Sequence, residues 1–219
     1  MNINIIKNQI KVINSNNDKY PEKLKNIYNY PKKLYLIGNT ELLYCKSIAI
    51  IGCRNCTKNG AKNAFDFGYR LAKKGICIVS GFARGIDTYS HIGAIKAKGK
   101  TIAILGSGLD VIYPRENESL YYEILKSDGL ILSEYPLGSK PEKYHFPERN
   151  RIISGISDGV LVVEAKEKSG TMITVDFALE QGKDIYAIPG SIYDENNIGT
   201  NNLIKEGAIV VTKIEDINI

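Results

Sequence analysis

From Ser47 onward, short apolar runs rich in β-branched residues alternate with longer segments that carry helix signals. The runs are Ser47 to Ile51, Ile76 to Val79, Thr101 to Leu105, Leu130 to Leu132, Val160 to Val163, Asp184 to Ile188 and Ala208 to Val211. Apolar stretches of strand length, spaced by helix-length segments, predict βαβ units and a mostly parallel sheet. Two of the intervening segments end on the residue type that favours a left-handed stop: Thr57 to Lys74 is closed by Gly75, and Ile86 to Lys98 by Gly99. The expected class is therefore α/β, with crossover helices covering both faces of the sheet.

Residues 1–44 follow another pattern, with Tyr20-Pro21, Tyr30-Pro31 and many Asn and Lys residues. They read as a short lead-in segment packed on a main domain of residues 45–219, with no repeat, low-complexity tract or long linker. The stretch from Met1 to Val12 is interrupted by Asn2, Asn4, Lys7, Asn8, Gln9 and Lys11, which leaves no apolar core for a signal peptide. No run approaches the roughly 20 apolar residues of a membrane-crossing helix. With 43% hydrophobic and 24% charged residues among 219, the chain has the balance of a folded globular protein. Cys45, Cys53, Cys56 and Cys77 lie in one half of the chain and do not resemble a secreted disulfide framework, so a reducing cytoplasm is expected and a membrane is not. A net charge of +5 and a pI near 8.8 permit a localised nucleic-acid site without requiring one.

A parallel α/β sheet gathers ligands at the carboxyl ends of its strands. Three turns there carry glycines: Gly52-Cys53-Arg54, Ser80-Gly81-Phe82-Ala83-Arg84-Gly85-Ile86-Asp87 and Gly106-Ser107-Gly108. Each could be no more than a tight turn, but three on one edge favour an anionic ligand, with Arg54 and Arg84 available for charge-assisted contacts. Val111 stands where a dinucleotide fingerprint needs its third glycine. Gly99-Lys100-Thr101 imitates a Walker loop but has Ala94 at the first glycine position and precedes a strand. Neither a nicotinamide cofactor nor ATP is supported, and no cofactor is expected.

Residues 140–151, KPEKYHFPERNR, interleave cations with aromatics. Single-stranded DNA needs cations along its phosphates and flat side chains for its unstacked bases. Lys143, Arg149 and Arg151 suit the first task and Phe146 the second. A solvated basic loop with Phe146 tucked into the core fits the same spacing. Catalytic signals are thin. Asp87 and His91 fall four apart on an expected helix without a nucleophile tied to them, which favours a buried or capping role. Cys53-Arg54-Asn55-Cys56 sits where thiol oxidoreductases place a redox pair, yet small residues in a phosphate turn explain it better. A zinc site would need a second matched pair, and none follows.

Taken together, these segments resemble the DprA (Smf, DNA-processing) family from about Tyr20 onward. The resemblance is carried by Gly52-Cys53-Arg54, Ser80 to Asp87 with His91, Tyr113-Pro114, Ser133-Glu134, Phe146-Pro147-Glu148-Arg149-Asn150-Arg151-Ile152-Ile153, Val163-Glu164-Ala165, Ser169-Gly170-Thr171, Pro189-Gly190 and Gly199-Thr200-Asn201. It implies an extended Rossmann-like fold and a non-enzymatic recombination mediator. Such a protein binds single-stranded DNA, protects incoming DNA, self-associates as a homodimer and helps to load the RecA recombinase in natural transformation. Carried over by position, Arg54 is implied as a phosphate contact, Lys143 as a second cation and Phe146 as a base-stacking residue. Arg149, Asn150, Arg151, Ser169, Gly170 and Thr171 are implied to line or shape the same pocket, beside the glycine loop that holds Gly81 and Arg84. Cys53 departs from the serine common in the family. The winged-helix-like and helical accessory domains of some relatives are not expected in this chain. The alternative is a Rossmann-like nucleotide-processing hydrolase built on Ser169-Gly170-Thr171 with Glu164 or Glu180.

Overall fold

The computed structural model describes residues 9–219. Of the interrupted stretch at residues 1–12, residues 1–8 lie outside the described part. The seven expected apolar runs all form strands, with ends within one residue of the expected ones: β3 Ser47–Gly52, β4 Cys77–Ser80, β5 Thr101–Ile104, β6 Leu130–Ser133, β7 Gly159–Glu164, β8 Asp184–Ala187 and β9 Ile209–Val210. Two more precede them, β1 Lys11–Asn14 and β2 Lys33–Gly38. The helices are α1 Glu22–Lys25, α2 Lys58–Lys73, α3 Ile86–Lys96, α4 Glu118–Lys126, α5 His145–Ile156, α6 Gly170–Glu180 and α7 Glu195–Lys205.

All the strands join one sheet in the order β1-β2-β6-β5-β4-β3-β7-β8-β9. The pairings from β6 through β9 are parallel, whereas β1 pairs with β2, and β2 with β6, in antiparallel fashion. The lead-in segment thus extends the edge of the main sheet, with Leu36 opposite Leu132. The parallel strands are buried on both faces and read as continuous apolar runs for that reason. Strand alternation splits β3: Ile48 and Ile50 join the cluster with Ala64, Leu71 and Ala94 of α2 and α3, while Ala49 and Ile51 join Ile152, Ile153 and Val175 of α5 and α6.

Helix α2 opens on Thr57, whose side chain accepts from the Gly60 N–H at 2.9 Å, and closes before Gly75 at φ +83°. It crosses α3 closely. A Cβ built on Gly93 would stand 2.3 Å from the Phe65 carbonyl oxygen, so the crossing distance depends on that glycine. Among the described residues no helix is long and apolar enough to cross a membrane.

Candidate functional site

The chain leaves central β3 through β4, β5 and β6 on one side, then returns to β7 on the other. Crossovers diverge at that switch point and leave a crevice beyond the carboxyl ends of β3 and β7. A groove of about 700 Å³ occupies that place. The turn after β3 contributes Gly52 to Asn55, the loop after β7 contributes Lys166 and Ser169 to Thr171, and α5 contributes Phe146, Arg149 and Asn150. Lys143 stands at its mouth, just before α5, and is exposed.

Residues 140–151 are therefore a solvated loop only as far as Tyr144. From His145 they wind into α5, and Pro147 falls in its first turn, where a missing N–H costs no helical hydrogen bond. The helical period sends Phe146, Arg149 and Asn150 to one face. Phe146 is half-buried, beside the Tyr113 ring at 5.6 Å and under the Arg54 guanidinium at 5.3 Å from its centroid. One side of the groove is thus an aromatic platform with an exposed cation above it.

Arg149 has a different task from Arg54. It is buried, and its Nη1 donates to the carbonyls of Gly81, at 2.5 Å, and Ile104, pinning the loop after β4 to the end of β5. The Asp87 carboxylate accepts from the Gly81 and Ala83 N–H groups at 3.1 and 3.2 Å. Burial pushes Arg149 down to about 10 and Asp87 up, and each opposes the other's shift through its opposite charge. Gly85, at φ +75°, closes this loop so tightly that a Cβ there would stand 2.3 Å from the Cys53 carbonyl oxygen. Asn150 Nδ2 donates to the Gly170 carbonyl at 3.3 Å, tying α5 to the start of α6. At that start Ser169 makes no side-chain cap, and Gly170 is exposed.

The structure thus brings Arg54, Lys143, Phe146, Arg149, Asn150, Ser169, Gly170 and Thr171 to one groove. Gly81 and Arg84 line an adjoining niche across the Phe146 ring, where Arg84 is exposed and pairs with Glu116 at 3.3 Å. Arg151 is not among the lining residues. It lies buried in a bidentate pair with Glu134, both contacts at 2.7 Å, and donates to the Asn29 carbonyl at 2.8 Å. Among the lining residues outside the expected set are Tyr113, Lys166 and Asn196. Tyr113 and Lys166 had a signal, an aromatic before proline and a cation two residues after a parallel strand. Asn196, which donates to the Asn55 carbonyl at 3.0 Å, had none.

The other chemistries find little here. His91 is fully buried with Nδ1 2.7 Å from the Thr101 hydroxyl, and Asp87 is spent on backbone N–H groups. Glu164 is buried and accepts from both the N–H and the hydroxyl of Thr57, so it serves the start of α2. The cysteines are free thiols, and burial pushes Cys53 and Cys56 up. Among the described residues no cluster of three or more His, Cys, Asp or Glu side chains could hold a metal ion.

Sheet order and groove together define an extended Rossmann-like α/β protein with a cationic, aromatic-bearing cleft at its topological switch point. The family model for DNA recombination-mediator protein A matches residues 11–219. The chain belongs to that family, whose members are the DprA and Smf DNA processing proteins. It is 47% identical over 200 residues to DNA processing protein DprA of Streptococcus pneumoniae, spanning 91% of this chain and 70% of that protein. The Bacillus subtilis DprA is 46% identical over 209 residues, spanning 95% and 70%. The X-ray structure of the S. pneumoniae protein superposes with a TM-score of 0.90 at 43% identity, covering 99% of this chain and 77% of that one. DNA processing protein A of Helicobacter pylori, solved with attention to its single-stranded DNA binding mode, superposes at 0.85 with 32% identity, covering 95% and 93%. A molybdenum cofactor binding protein of Rippkaea orientalis, at 0.54 and 21% identity, shares the fold alone.

Proposed function

We propose that this groove binds single-stranded DNA and that the chain acts without catalysis, as a cytoplasmic mediator that protects the strand and helps to load RecA, working as a homodimer. The observation that carries the reading is the platform of Phe146 and Tyr113 with Arg54 over the ring. An unstacked base offers a π-face to such a ring, and its phosphate offers a charge to the adjacent guanidinium. Lys143 and Lys166 stand at other points of the groove, where a backbone passing the ring would meet them. Family membership and the H. pylori relative support the same ligand.

The test is fluorescence anisotropy of a labelled thymine oligonucleotide against the matching duplex at low and moderate salt. Preference for the single strand is expected. Phe146→Ala should cost about 1–3 kcal/mol of binding, the usual worth of one base stack, and Arg54→Ala a comparable amount. Unchanged affinity in both variants would remove the site assignment. RecA filament formation on coated DNA, with and without the protein, then tests the loading step.

A further inference from the structure

Two cysteines bracket the groove's leading cation. Arg54 and Asn55 are the central residues of a turn whose outer positions are Cys53 and Cys56. A turn of this type holds its outer Cα atoms within about 7 Å, and a disulfide spans Cα atoms about 4.4–6.8 Å apart. Both thiols are free; Cys53 lines the groove, whereas Cys56 is half-buried outside the lining. Cys56 lies close enough for its charge to act on Cys53, and Lys166 offers Cys53 both its backbone N–H and its ammonium.

From this geometry we infer that Cys53 and Cys56 are an oxidation site at which a peroxide, or a small disulfide, closes an intramolecular cross-link that loosens the groove's hold on single-stranded DNA. The inference rests on the groove being the DNA site. With hydrogen peroxide, the Cys53 sulfur attacks the O–O bond to give a sulfenic acid and water. The Cys56 sulfur then displaces a second water as the S–S bond forms. Two electrons and both thiol hydrogens pass to the peroxide, whose oxygens leave as the two waters.

Closing the bond draws the Cys53 sulfur from the Lys166 N–H and turns the peptide that carries Arg54. Asn55 is held by Asn196 through its carbonyl, so the displacement falls on Arg54, whose place over the Phe146 ring is lost. Burial pushes both thiols up, so the reduced pair gains nothing from a stabilised thiolate. Such a disulfide forms slowly and, once made, resists a monothiol such as glutathione while yielding to a strong dithiol.

The experiment oxidises the full chain with hydrogen peroxide or diamide, maps the peptides by mass spectrometry, and measures oligonucleotide anisotropy before oxidation, after it, and after dithiothreitol. Trypsin cuts after Arg54, so a Cys53–Cys56 link joins two otherwise separate peptides. The expected result is that linked pair, affinity lower by about tenfold, as for one lost charged contact, recovery on reduction, and no oxidation effect in Cys56→Ser. Absence of the linked pair, or pairing with Cys45 or Cys77 instead, overturns the site. A linked pair with unchanged affinity overturns the coupling to DNA. Reduced protein that binds no oligonucleotide overturns the DNA reading itself, which the peptide map distinguishes from failure of the cross-link.

Discussion

Arg149 and Arg151 are two residues apart in one motif, and the helix assigns them opposite work. Positions two apart on a helix point to different sides, so Arg149 faces the end of the sheet and Arg151 faces Glu134. Arg151→Ala should leave the half-buried Glu134 without its partner and destabilise the fold by about 1–3 kcal/mol, read from urea unfolding. If Arg151 instead touched DNA, the same change would lower affinity with little effect on the unfolding midpoint. His91 gives a second expectation. Burial, aided by the charge of Arg149, holds its imidazole at about 3 against an ordinary 6.5. The folded state therefore keeps it neutral, while the unfolded chain takes up a proton below about 6.5. Its contribution to stability is full above that pH and is lost as pH falls toward 3. His91→Asn, which keeps a donor near Nδ1, should flatten the decline of the urea midpoint between about pH 7.5 and about pH 5.

Among the elements, those most legible in the sequence were the ones whose burial is complete. Strands β3 and β7, apolar on both faces, announce themselves as unbroken runs. Strand β2 hides because Lys33 and Gly38 flank its buried Leu34 and Leu36, and its partner β6 lies far along the chain. Helix α5 hides because its first turn carries Pro147 among basic and aromatic residues, and only its position against the sheet shows which of them face the groove. Hence the meeting of Arg54 and Phe146 in one groove was readable, whereas the division between Arg149 and Arg151 required the helix phase. The α2 and α3 crossing gives its own prediction. Gly93→Ala forces a methyl against the Phe65 carbonyl and should cost about 1–3 kcal/mol of stability, with the melting temperature as readout. An unchanged melting temperature would mean that the two helices separate freely.

At the scale of the molecule, the groove's cations arrive on separate loops: Arg54 after β3, Lys143 before α5 and Lys166 after β7. A single strand that crosses all three releases counterions from each, so log affinity should fall linearly with log salt. Lys143→Ala should reduce the magnitude of that slope by about 0.7, measured by titration at several salt concentrations; an unchanged slope would place Lys143 off the strand's path. The antiparallel edge carries a separate consequence for synthesis. Strand β2 leaves the ribosome before β3, β4, β5 and β6, yet among the described residues its strand partners are its outer neighbour β1 and its inner neighbour β6. Until β6 emerges, the β1–β2 pair has no sheet to extend, and Leu34 and Leu36 have no core to enter. Strand β2 is thus made before β6 yet placed only after it, and a nascent chain stalled before residue 130 would carry its apolar side chains as an open invitation to self-association.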